Sequence, residues 1–190
     1  LAAADPVAAR IALAGCPSAE DVLSLGEDLA MRGLADQARD LMWVAAERDT
    51  DAKARYLGRC SWWLIGAARR VPSAYEGSDA LVAAGEAARA ALLADANEAC
   101  ANLALGVLET LSAMMLGQPM NRGVALLTRA LSAKGGALAT EQLAAAHFFL
   151  GKAHQFEERD DEADTHLRLA MPAWSRLLFS LFRRRLRSIP

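Results

Sequence analysis

All the imidazole chemistry open to this 190-residue chain rests on three histidines, His147, His154 and His166. A zinc-type centre holds its ligands at about 2 Å from one ion. His147 and His154 are seven residues apart, which on a helix is two turns and ~10 Å of rise, so those two alone do not converge on one metal. No HExxH pair accompanies them. A buried histidine satisfied by its neighbours is the expected state of His154. Cys16, Cys60 and Cys100 are odd in number and widely spaced. That argues against both a zinc site and a disulfide framework and for a reducing, cytoplasmic setting. Gly135-Gly136 has no adjoining Lys-Ser, and no GxSxG elbow occurs, so neither a phosphate loop nor a serine nucleophile is expected. Asp160-Asp161-Glu162 lacks the alternating oxygen ligands and central glycine of a calcium loop. It reads instead as the acidic first turn of a helix, where carboxylates favour the dipole. No catalytic residue, metal or cofactor is expected, and the chain is not read as an enzyme.

The elements that must carry these residues are helices. Hydrophobic residues make up 54% of the chain, but alanine and leucine dominate over the β-branched types that favour strands. No uninterrupted apolar run approaches the ~20 residues that span a bilayer, which predicts a soluble domain. Net charge is −2, which gives no electrostatic case for nucleic acid. The 16 basic and 23 acidic residues up to position 175 leave −7, and Arg176, Arg183, Arg184, Arg185 and Arg187 follow without an acid. Leu13-Ala14-Gly15-Cys16 has the lettering of a lipoprotein cleavage box, but Asp5, Pro6 and Arg10 leave too short an apolar stretch before the cysteine. It is read as a lookalike, and the opening at Leu1 leaves room for an upstream segment.

Asp5-Pro6 predicts a short helix closed by Gly15 and Pro17, and Ser18 with Asp21 opens a second helix over 18–32 that stops at Gly33. Ala38, Leu41, Met42 and Ala45 recur at 3-4 spacing, the stripe of a partner helix. Further helices are predicted near 51–70, 78–94, 97–116, 121–133, 140–158, 160–170 and 172–187. Turn residues separate them at Pro72 to Gly77, Asp95 to Asn97, Gly117 to Pro119, Gly135-Gly136 and Arg159 to Asp161.

A Leu-Gly pair recurs at Leu25-Gly26, Leu57-Gly58, Leu105-Gly106 and Leu150-Gly151, each inside the first helix of a predicted hairpin. In the first and last hairpins an alanine follows the glycine by twelve residues (Ala38, Ala163) and another by seven more (Ala45, Ala170). Small residues at such places let two helices interlock. With Leu29, Gly33 and Met42, and with Ala91 to Asn97 as a repeat junction, this pattern resembles the tetratricopeptide repeat family. The resemblance implies a single all-α domain over 1–190, a right-handed superhelix of antiparallel hairpins with eight or nine helices. Its repeats lie near 19–52, 51–98, 99–135 and 144–177, capped by a helix over 172–187. The middle repeats depart from it, with extra residues between Gly58 and Ala84 and between Gly106 and Ala130.

Membership of that family implies a protein-interaction scaffold or adaptor whose first helices line a concave groove. The groove would show Glu20, Leu23, Glu27 and Met31, then Leu103, Val107, Thr110 and Leu111, with the partner-binding residues Arg55, Arg59, Trp62, Trp63, Phe148, Lys152, Gln155 and Phe156 among them. Arg55 and Arg59 are one turn apart, a spacing suited to an acidic or C-terminal carboxylate. The same four α-helical positions also fit two solvated arginines and one packed tryptophan. The expected partner is a protein or peptide of acidic character. Two other functions fit the composition: a small-molecule carrier with an apolar pocket between Trp62, Trp63, Met114, Met115 and Phe148, and a regulatory domain of a larger protein. In the tail, Trp174, Leu177, Leu178, Leu181, Phe182 and Leu186 oppose Arg176, Arg183, Arg184 and Arg187. Such an amphipathic helix caps an array, or associates with a second copy, an acidic partner or an anionic membrane surface.

Overall fold

The computed structural model describes residues 14, 16, 18–69, 74–133 and 138–172, and every element among them is helical. The short helix expected after Asp5-Pro6, the Gly135-Gly136 turn and the tail helix beyond Pro172 lie outside the described residues. Eight helices follow in order: α1 Ala19–Met31, α2 Ala35–Arg48, α3 Lys53–Ala68, α4 Ala74–Ala94, α5 Ala99–Leu116, α6 Asn121–Ser132, α7 Thr140–Phe156 and α8 160–172.

Local chemistry sets the ends. Ser18 Oγ accepts from Asp21 N–H at 3.2 Å while the Asp21 carboxylate accepts from Ser18 N–H at 3.1 Å, the reciprocal box predicted for α1. Gly33 takes φ +84° and Gly117 φ +63°, left-handed stops that close α1 and α5. Where each later odd-numbered helix begins, a buried polar side chain ties it down. Tyr56 bonds Asp49 at the end of α2. Asn102 Nδ2 donates to the carbonyls of Ala96 and Glu98 at 3.0 and 2.9 Å. Gln142 accepts from Ala139 N–H at 2.8 Å and donates to Cys100 Sγ.

One boundary differs from expectation. The break placed at Pro72 to Gly77 ends earlier, because α4 already begins at Ala74 and runs for 21 residues. A glycine inside a helix costs only about 1 kcal/mol. Farther along the helix, Ala84, Ala87, Ala88 and Ala91 are each fully buried. Their methyl groups press α4 along α3, the most extensive helix pair in the chain. The longer helix takes up much of the extra sequence between Gly58 and Ala84.

Neighbouring helices pack in sequence, α1 to α7, and the odd ones also pack on each other: α1 on α3, α3 on α5, α5 on α7. Among the described residues no contact of similar extent joins α2 to α4 or α4 to α6. Two layers result. α5 is enclosed by α3, α4, α6 and α7, and every residue from Ala99 to Val107 is buried. By length and apolarity α5 would cross a bilayer, yet 61% of it is buried within the protein, the place of a core helix.

The four Leu-Gly glycines all stand at close approaches, as does Gly123 of α6 against Thr110 of α5. A methyl group at Gly26 would meet Met42 Cε at 2.6 Å and the Trp63 ring at 2.8 Å; at Gly106, Leu127 Cγ at 2.8 Å; at Gly151, Leu167 Cγ at 2.7 Å and the Ala163 carbonyl at 3.1 Å. At Gly58 it would collide with the Glu98 carboxylate. The alanines read with them, Ala38, Ala45, Ala163 and Ala170, are buried.

Replacing Gly151 by leucine should therefore overpack the α7–α8 contact and cost about 1–3 kcal/mol. Gly66 has nothing within 4 Å of a built methyl group, so Gly66→Ala should gain about 0.5–1 kcal/mol through helix propensity alone. Chemical denaturation of the two variants checks both signs, and an unchanged midpoint for G151L would contradict the packing described.

Candidate interaction surface

The eight predicted contact residues fall on two helices, α3 and α7, separated by α5. On α3, Trp63 packs its ring against Gly26 of α1 and joins the core of α1 to α5. Trp62 lies against that core and also against the apolar cluster of α5, α6 and α7. Both indoles fill seams between odd helices and stay half-buried. Neither is free of the packing and neither is lost inside it.

The arginines are each faced by a carboxylate. Arg55 Nη1 lies 2.9 Å from Glu20 Oε1 on α1, an exposed pair of modest strength. Arg59 is half-buried and its charge acts on Glu98 at the head of α5. The two guanidinium groups thus already face different carboxylates rather than one common point. On α7, Lys152 Nζ donates to Gln155 Oε1 at 2.9 Å, Phe148 meets Phe149 edge-on with centroids 5.3 Å apart, and Phe156 is exposed.

Part of the expected groove is core. Leu23 of α1 is buried in the core it shares with α2 and α3, and Leu103, Val107 and Thr110 are buried because α5 has helices on four sides. What the odd layer exposes is Glu20, Glu27, Met31, Arg55, Leu111, Met115, Gln155 and Phe156, with the tryptophan edges between them. One cleft among the described residues is lined by none of Trp62, Trp63, Met114, Met115 and Phe148. That cleft, about 560 Å³, lies at the opposite end of the odd helices and is lined by Thr50, Asp51, Arg55, Asn97, Glu98 and Arg129, among others.

Glu98 is the residue that sequence reasoning missed. It caps α5 by accepting from Ala101 N–H, and it occupies the space that Gly58 leaves open. Burial raises its pKa, opposed by the backbone N–H groups it accepts from and by Arg59. An acid directly before an apolar helical run was the available signal. Burial also pushes the Cys60 and Cys100 thiols up to about 12, so both are protonated and weakly nucleophilic at neutral pH.

The histidines are closer than their spacing implied. α8 inserts His166 between His147 and His154, with centroids 5.2 and 5.5 Å away. His154 is buried as expected, but its Nδ1 has no hydrogen-bond partner, contrary to the satisfied state predicted for it. Among the described residues no three His, Cys, Asp or Glu side chains are arranged to hold one metal ion.

No protein-family model matches the chain, and none of the curated proteins compared with it matches. The assignment of a function rests on the residues themselves.

A glutamate with a raised folded pKa holds its proton more tightly folded than unfolded, so its contribution to stability grows as pH falls from 7 toward 4.5. Glu98→Gln keeps the oxygen that caps α5 and removes the buried charge. The variant should melt at or above the temperature of the original protein at pH 7, and its advantage should shrink by pH 4.5. A variant less stable at pH 7 would show the charge itself to be stabilising.

Proposed function

We propose that this chain is a tetratricopeptide-like helical-repeat scaffold that binds an acidic peptide or helix of a partner protein along the odd-helix layer. The observation that carries the reading is the packing order, in which odd helices contact one another as well as their hairpin partners and carry a glycine at each hairpin or repeat contact. A layer built in this way offers the exposed residues of α1, α3 and α7, with Leu111 and Met115 of α5 between them, as the contact surface. The right-handed superhelical sense is part of the same proposal.

Within that layer the contact region centres on α3. Arg55 and Arg59 supply charge, the half-buried edges of Trp62 and Trp63 supply rigid aromatic area at low entropic cost, and Met31 is exposed at the end of α1. The α7 residues Phe148, Lys152, Gln155 and Phe156 extend the surface, with Leu111 and Met115 of α5 between. Because Glu20 occupies Arg55, binding exchanges an exposed intramolecular ion pair for an intermolecular one. Affinity then comes mainly from the tryptophans, and charge sets the choice of partner and the rate of association. No cofactor enters this reading.

A displayed library of random peptides with free C-termini, selected on the purified chain, tests it. Acidic and apolar sequences should be enriched, and the double change Arg55→Glu and Arg59→Glu should lower their affinity at least about tenfold while helicity is unchanged. Equal binding by the double variant would remove α3 from the contact surface, and a selection that enriches nothing would remove the groove.

A further inference from the structure

The α7–α8 hairpin is joined differently from the others. Its glycine contact, Gly151 against Leu167, is flanked by the whole histidine content of the chain. His147 Nδ1 and His166 Nδ1 are 3.0 Å apart, with rings inclined by 27°. That distance is a hydrogen bond only when one nitrogen carries a proton and the other offers a lone pair. The pair can hold one positive charge between its rings, but two imidazolium rings would set two N–H donors and two cations against each other. On the other face of His166, His154 lies nearly parallel, at 10°, and its buried Nδ1 has no partner to accept a proton's new N–H. A second or third proton therefore enters a stack with no acceptor for it.

We propose that the three stacked histidines are an acid-operated latch, holding α8 against α7 at neutral pH and releasing it below about pH 6. Charges from the surrounding elements bear on the stack unequally. Arg159, in the turn between α7 and α8, opposes a cation on His154, and Glu157 and Glu162 favour one. These acids are partly engaged or exposed: Glu157 pairs with Arg159 and accepts from Met120 N–H, and Glu162 stands on the exposed side of α8. On α7, Lys152 is bonded to Gln155. On α8, Asp164 pairs with Arg168, and Asp160 and Asp161 are exposed in its first turn. From α5 and α6, Glu109 and Arg122 pair with each other and Arg129 lines the distant cleft.

The sign follows from burial. Desolvation lowers the pKa of all three rings below the ordinary value of 6.5, and for His147 and His154 the neighbouring His166 adds to it. The unfolded or opened hairpin then binds protons more tightly than the closed one. Stability from the stack is present above pH 6.5 and is lost as pH falls through and below that value. The effect is confined to the α7–α8 hairpin, since α1 to α6 contain no histidine.

Hydrogen exchange of the full chain at pH 7.5 and 5.5, corrected for the intrinsic rates, tests the latch. Amides of α7 and α8 should open about tenfold more often at pH 5.5, relative to those of α1 to α5. His166→Phe keeps an aromatic ring in the stack without a titrating nitrogen and should abolish the selective change; His147→Phe, read in the same way, serves if that variant does not fold. Imidazole resonances should titrate below 6.5. Equal protection at both pH values, a loss spread evenly over all helices, a selective loss that persists in both variants, or three histidines titrating at 6.5 or above would each overturn the proposal.

Discussion

The structure depends on the absence of four β-carbons. At Gly26, Gly58, Gly106 and Gly151 the room for even a methyl group is already occupied by a sulfur-tipped chain and an indole, by a carboxylate, and twice by a leucine. Ridges on one helix enter the gap on the next at such points. Remove that freedom and the odd helices separate from their partners, and with them the seams that Trp62 and Trp63 fill. The repeated Leu-Gly pair is thus one steric device used four times with four different neighbours.

Close packing around α5 has an electrostatic consequence. With helices on four sides, polar groups that would otherwise be solvated lie in a medium of low dielectric, and each must find a partner or titrate abnormally. Asn102 and Gln142 find backbone and thiol partners and fix where α5 and α7 begin. Glu98 finds amides but remains burdened by its charge. Asn102 Oδ1, Thr110 Oγ1 and His154 Nδ1 find none. Among the described residues the unsatisfied atoms lie on α5 and α7, and the histidine among them belongs to the contact with α8.

Function in such a fold lies on the surface that packing leaves over. α5 illustrates the competition: the burial that makes it the central support removes Leu103, Val107 and Thr110 from any groove. The exposed inner surface is accordingly concentrated on α1 and α3 at one side and on α7 at the other, with Leu111 and Met115 bridging. Charge on that surface is partly paired within the chain, as between Arg55 and Glu20, an exposed contact of modest strength.

What the sequence determined by itself is the helical class, the close-contact glycines and most helix ends. These rest on local rules: Ser18 with Asp21 and Gly33 act within one turn, and the Leu-Gly spacing records sterics that hold wherever two such helices meet. Where a boundary was missed, at Ala74, the turn signal around Gly77 was too weak to hold off a helix, since an internal glycine costs only about 1 kcal/mol. The candidate surface was legible only as a set of helix positions. Which of them face solvent depends on how many neighbours each helix acquires; the all-round apolarity of residues 99–107 signals burial, but not which four helices provide it. The same holds for Glu98, whose carboxylate is drawn into the gap above a glycine forty residues away, and for His166, which reaches two rings on another helix only once the hairpin has closed. Contacts across helices are set by chain geometry after packing, and no periodicity within one helix encodes them.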